Sequence, residues 1–332
     1  MSRIKPLLLT LLLFSTTFIH AQYTDVINSN RPGKSMAAFS VGKTVLQAEL
    51  GMGVFREEHD LTKYNAEGIT SDLALRYGAF FEQLEFMATL EYQNEVYKNL
   101  NTLKSRRNSG IREVTIGAKY LVYDPWKNYE QKPNLYSWKA NHSFSWRQLI
   151  PAVGVYAAGN LSFADGKYDR PTYPDENKFS PTLGILTQNQ FGRYVLVMNI
   201  LADKLATQRE SFDYIITVTY GFNSRWSGFI EHQGYMSDFY SDAVFRGGAA
   251  FLPMKNVQID AAIGANVKST PSVLTGNIGI SWRFDEMYSE VFLRIPKEKG
   301  KETKEDKKKK KEKDKAKKRL DEIENSSPTP SN

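Results

Sequence analysis

The chain contains no cysteine among its 332 residues. Neither disulfides nor thiolate-bound metals stabilise it, and an acylated-cysteine anchor is excluded. Beyond the first 21 residues no run of 18 apolar residues occurs, and the mean hydropathy is −0.47, so no helix of this sequence is suited to span a bilayer. That exclusion does not reach strands, whose alternating pattern escapes a helix-length window. Histidine is scarce too, with four in all; beyond the N-terminal segment these are His59, His142 and His232. A nucleophile with a base and an orienting group needs more than this. His232 beside Glu231 and Ser237 is a coincidence of sequence, so neither enzymatic activity nor a cofactor is expected. No His, Asp or Glu spacing fits a metal centre, and a solvated loop is the better reading of Asp238 and Asp242 than a weak calcium site.

An excess of one charge is also missing from the body of the chain. Of 44 basic and 37 acidic residues, Arg3 and Lys5 lie in the N-terminal segment, and Lys297 to Glu324 holds 14 basic and 9 acidic ones, which leaves 28 of each sign between them. The net charge of +7 therefore belongs to the two ends, and no nucleic-acid surface is expected.

What is present begins with a secretory signal over residues 1–21: Arg3 and Lys5, an apolar core from Leu7 to Phe18, and Ala21 before the cut. Residues 22–43 are rich in turn formers (Asn28, Asn30, Pro32, Gly33) and read as a periplasmic lead-in and candidate plug. From 44 to 285 the sequence repeats one design about twelve times. Leu274 to Phe284 sets Leu274, Gly276, Ile278, Ile280, Trp282 and Phe284 against Thr275, Asn277, Gly279, Ser281 and Arg283, an apolar face against a polar one. Val45 to Phe55, Asp72 to Ala79, Leu84 to Tyr92, Val114 to Tyr123, Phe212 to Phe222 and Val257 to Val267 share it; Tyr194 to Leu201 is apolar on both faces, and Trp226 to Tyr235 is irregular. Connections after odd-numbered strands are long and polar (56–70, 94–112, 164–180, 202–211). Those after even-numbered strands are mostly tight (80–83, 191–193, 223–225, 253–256), as in outer-membrane barrels whose short turns face the periplasm. The segment 124–146 breaks this rule. Its Trp126, Trp138 and Trp146 suit either a headgroup-level collar or packing under the barrel floor.

Alternation alone does not say whether the apolar face looks inward, as in a secreted sandwich, or outward to lipid. Three features favour lipid. The ribbons run about 9 to 11 residues, enough to cross hydrocarbon when tilted. Aromatics sit at their ends, with Tyr214, Tyr220, Phe222, Trp282 and Phe284 as interface candidates alongside the three tryptophans. The opposite faces carry glycines and both charges: Glu49, Arg76, Glu85, Glu91, Lys119, Asp213, Arg246, Asp260 and Arg283. The expected fold is an all-β transmembrane barrel of about twelve antiparallel strands. Arg76, Lys119, Arg246 and Arg283 are expected to oppose Glu49, Glu85, Glu91 and Asp260 across the lumen, either tying the wall or lining a constriction for a small polar or anionic solute. Even strand number places both termini in the periplasm. Residues 286–332 form a lysine-rich, low-complexity tail, either a solvated spacer or a tether to anionic lipid, the cell wall or a protein partner.

Asn30-Arg31-Pro32-Gly33, then Ser40-Val41-Gly42-Lys43 and Leu46-Gln47-Ala48-Glu49-Leu50-Gly51, resemble the opening of the Bacteroidetes-type outer-membrane transporter family. That family is related to the MetA-pathway-of-phenol-degradation barrels, in which an RPG or RPD element precedes a first strand carrying Q-x-E-x-G. The segment 136–142 and the closing Gly279 to Phe284 resemble members of the same group, and the likeness runs from about 24 to 285. It makes Arg31, Pro32, Gly33, Gln47, Glu49 and Gly51 the family motif and implies transport of a small solute. The lysine-rich tail departs from the family pattern. It motivates the runner-up function, an accessory barrel in an outer-membrane assembly or secretion complex.

Overall fold

The computed structural model describes residues 27–127, 136, 146–171 and 173–285. Twelve strands run in chain order: β1 (Leu46–His59), β2 (Tyr64–Gly78), β3 (Leu84–Asn99), β4 (Lys104–Tyr123), β5 (Ala152–Ser162), β6 (Phe179–Phe191), β7 (Tyr194–Asp203), β8 (Ser211–Gly221), β9 (Trp226–Met236), β10 (Ser241–Met254), β11 (Val257–Asn266) and β12 (Ser272–Phe284). Each pairs antiparallel with its sequence neighbours, and β1 closes on β12 from Leu46↔Phe284 to Glu58↔Ser272. Closure leaves no open sheet edge around the barrel, the condition for strands to cross lipid.

The alternation reads directly as two surfaces. Ile278 is 63% exposed on the outside, and Leu50, Val218, Ile259 and Ile280 are exposed with it. Gln47, Arg76, Glu85, Lys119 and Glu231 are fully buried on the inside. A water-soluble sandwich would do the reverse, so the exterior is the lipid-facing surface of an outer-membrane barrel.

Two expected connections are strand instead. Residues 56–70 and 94–112 belong to the β1–β2 and β3–β4 hairpins, whose ladders continue to His59↔Tyr64 and Asn99↔Lys104. Past the apolar belt both faces become polar, so the hydrophobic signal stops while the backbone pairing does not. The β9 strand is also regular. It looked irregular because Phe229 turns inward and His232 outward between the Tyr214 and Phe245 rings. His232 and Glu231 thus sit on opposite faces of one strand.

Candidate functional site

The lead-in enters the barrel at the short-turn rim, where Ile27 N–H donates to Lys255 O at 2.8 Å in the β10–β11 turn. It then runs around the inner wall before joining β1. The wall holds it largely by its backbone. Gln47 and Arg76 donate to Asn28 O (3.1 and 2.8 Å), and Asn30 N–H donates to Glu49. Gln258 donates to Arg31 O, while Lys34 and Ser35 N–H donate to Glu231 Oε2 at 2.9 and 3.2 Å. The Asn199 amide both accepts from Met36 N–H and donates to Met36 O. Gln188 accepts from Ala38 N–H, Lys119 Nζ donates to Ala37 O and Phe39 O, and Glu85 accepts from Val41 N–H. Between these polar points Met36 packs on Met87, Tyr156 and Leu186, and Ala38 with Phe39 packs on Leu121 and Ala152.

Gly33 is a steric requirement at this layer, because a Cβ there would meet the Glu231 carboxylate at 2.5 Å. Pro32 has no N–H for the low-dielectric interior to satisfy.

The charges at this level pair between neighbouring strands. Arg76 bridges Glu49 (2.8 Å) and Glu85 (2.7 Å), and Lys119 lies 3.3 Å from Glu85. The expectation of opposition across the lumen is corrected accordingly. Adjacent inward side chains meet within one ladder rung, whereas the lead-in occupies the space between opposite walls. Asp260 lies 3.4 Å from Arg31 of the lead-in, while Arg246 is held by Glu231 and Arg283 by Asp285. Asp213 is buried and accepts from Ser211.

Toward the long-loop rim lies a chamber of about 430 Å³, with Lys34 of the lead-in, Asp72, Glu91, Arg112, Tyr173, Tyr235 and Arg246 among its lining. Arg112 reaches it through a β-bulge. Glu91 pairs with Glu113 and Tyr92 with Ile111, so Arg112 is the extra residue, and along β4 the inward set changes from even positions before it to odd positions after it. Its Nη1 donates to Gln93 Oε1 at 3.2 Å.

The β5–β6 loop folds over this chamber. Tyr168 donates to Gln93 O, Arg170 contacts Glu57 at 2.7 Å and Glu95 at 3.0 Å above the Tyr64 and Tyr97 rings, and Arg209 meets Asp169 at 2.6 Å. Burial works to raise the Glu176 carboxyl pKa, but the charges of Lys204, Arg209 and Arg112 and the Lys204 hydrogen bond outweigh it and hold the pKa below the ordinary value. Burial and the nearby Glu57 charge push the Tyr173 phenol up to about 12.

Trp282 and Phe284 stack at 4.6 Å on the short-turn side, where Tyr220 packs against Tyr194 and Phe222. Tyr214 packs against His232 on the outer surface. Trp126 is half-buried and Trp146, at the start of a 3-10 turn (Trp146–Leu149), is exposed; Trp138 lies outside the described residues. Sequence reasoning missed Asp72, Gln188, Asn199, Glu231 and Arg170. For Glu231 the obstacle was Phe229, an aromatic on the same inward face, which hid the alternation of β9.

A closed barrel with an apolar exterior, a charged interior and residues 27–43 bound along its inner wall is an outer-membrane β-barrel. Residues 29–284 match the family described as "Putative MetA-pathway of phenol degradation", and the chain belongs to that family. No curated protein matches the sequence. Among solved structures it is similar to an outer-membrane channel from Pseudomonas putida F1, at 10% identity over 78% of this chain and 100% of that one with a TM-score of 0.50, which is a likeness of fold. The Pseudomonas putida toluene transporter TodX is also similar, at 10% identity over 81% of this chain and 99% of that one with a TM-score of 0.42.

Proposed function

We propose that this protein is a channel for a small polar solute, gated by displacement of its own lead-in. The observation that carries the reading is that β1 closes on β12 without the lead-in, which adds no strand to the ladder. The plug is held by side-chain to backbone bonds, the Arg31 ion pairs and a few apolar contacts, none of which is a rung of the sheet, so it can leave while every rung of the barrel stays paired. The chamber beneath the β5–β6 loop is the antechamber for solute, and Arg112 and Glu91 are among the charges that face it. The chain leaves β12 on the same rim by which the lead-in enters. With short turns facing the periplasm, both termini and the lysine-rich tail lie there, and the aromatic rim formed by Tyr220, Phe222, Trp282 and Phe284 sits at the inner headgroups.

A chain free of cysteine allows a direct test. Met36→Cys with Asn199→Cys places a thiol pair across the plug and wall contact. In planar bilayers the reduced protein is expected to show conducting steps that vanish on oxidation and return with reductant. Equal conductance in both states would refute gating by the lead-in, and no steps in either state would refute the channel.

A further inference from the structure

The seat of Arg31 is more elaborate than a plug contact requires. Its guanidinium occupies the space over Gly51 of β1 and Gly279 of β12, which face each other in register. A Cβ added at either glycine would collide with it. Around this floor stand two carboxylates and a carbonyl: Asp72 accepts from Nη1 at 2.5 Å, Ile278 O accepts from Nη2 at 3.2 Å, and Asp260 lies 3.4 Å from Nε. The last contact is poorly made. Among the described residues, neither Arg31 Nε nor either Asp260 oxygen has a hydrogen-bond partner, although the Asp260 side chain is fully buried.

Acceptors set against Nη1, Nη2 and Nε over a glycine floor match the planar fork of a guanidinium and not the point charge of an ammonium. One cation leaves this pair of acids with a negative surplus. The slot also has an open side, because Asp72 and Asn277 line the chamber above it.

We propose that this slot is a guanidinium-binding site of the lumen whose resident occupant is the plug's own Arg31. A solute carrying a free guanidinium or amidinium group, arriving through the chamber, competes with Arg31 for the slot and loosens the plug. The competition rests on the reading of the lead-in as a gate; the site itself does not.

Chemical rescue tests both parts. Full-length Arg31→Ala, folded in detergent, empties the slot. Calorimetry with methylguanidinium is expected to show saturable binding at least tenfold tighter than with methylammonium, which has the charge without the fork, or urea, which has the fork without the charge. The triple variant R31A/D72N/D260N is expected to lose that binding while keeping the heat-dependent gel mobility of a folded barrel. Absence of saturable binding to folded R31A, equal binding of methylammonium, or binding that survives in the triple variant would overturn the site. In the unaltered protein, methylguanidinium is expected to speed tryptic cleavage after Lys34 several-fold over methylammonium at the same concentration. Binding to R31A without that acceleration would overturn the competition, while the thiol-pair conductance test would still stand or fall separately.

Discussion

Replacing Glu231 with alanine removes the anchor at the middle of the plug. Glu231 is fully buried and takes N–H bonds from Lys34 and Ser35 at 2.9 and 3.2 Å, a hydroxyl bond from Thr217 at 2.8 Å and an ion pair from Arg246 at 2.9 Å. Only the two N–H bonds tie the lead-in. Bonds to a charged acceptor contribute about 1.5 to 3 kcal/mol each, and water entering the vacated space recovers part of that. We take a loss of about 3 kcal/mol, which converts to roughly a hundredfold rise in the displaced population. The assay is trypsin on the folded protein in detergent, following the product cut after Lys34 by mass spectrometry. When opening is fast compared with cleavage, the rate tracks that population. Thr217→Val is the control. It removes a wall-to-wall bond to the same carboxylate and is expected to change the rate less than threefold. A cleavage rate for Glu231→Ala within threefold of the unaltered protein, with the barrel still folded, would refute the claim that Glu231 holds the plug.

Gly279→Val fills the floor of the Arg31 slot and is expected to raise cleavage after Lys34 about as much as Arg31→Ala. The double variant should exceed either single by much less than their product, because both remove one contact. Ile278→Arg puts a cation on the lipid face where the native side chain is 63% exposed; a cost of about 2 to 4 kcal/mol near the bilayer midplane is expected in refolding into vesicles, against little change for Ile278→Leu. Glu176 has a depressed pKa in the folded protein, so its contribution to pinning the β5–β6 loop is present above the ordinary carboxylate value of about 4.3 and is lost as pH falls through the lower folded value. Hydrogen exchange of residues 163–178 should therefore be unchanged between pH 7 and 5 after correction for intrinsic rates, and should lose protection below about pH 4; Glu176→Gln should show the weakened state at every pH.

The architecture was legible because lipid rewards strict alternation. Ile278 and Ile280 outside against Gly279 and Ser281 inside can be read by eye, and so can the tight turns that close even-numbered strands. Legibility ended where that reward ends. Above the apolar belt, Glu57 and Glu95 turn inward to meet Arg170, while Glu67 and Lys98 pair outside; polar residues on both faces carry no period, so nothing in the sequence there separates strand from loop. The inward charges could be named individually, but their partners could not. Pairing depends on which rung each side chain occupies, and one bulge at Arg112 shifts the parity of the rest of β4. The lead-in offered no period at all. Its contacts run through its backbone to Asn199, Gln188 and Gln258, neutral side chains that a search for charges passes over.

One part of the sequence signal carried more structural information than its use as a family marker suggests. Gln47, Glu49 and Gly51 are spaced by two, so on a strand they must share a face. In the barrel that face looks at the lead-in, and the three positions read successive parts of it: Gln47 holds Asn28 O, Glu49 accepts from Asn30 N–H, and Gly51 makes room for the Arg31 guanidinium. Gly33, two residues further on, lets Glu231 reach the backbone of Lys34 and Ser35. R-P-G and Q-x-E-x-G are therefore two halves of one contact, a plug and the strand that seats it. A barrel that kept Gly51, Asp72 and Asp260 but lost the arginine would keep a slot with one fully buried and one half-buried carboxylate and no cation, an arrangement costly enough that the slot would have to bind a cation from solution or lose its buried acid.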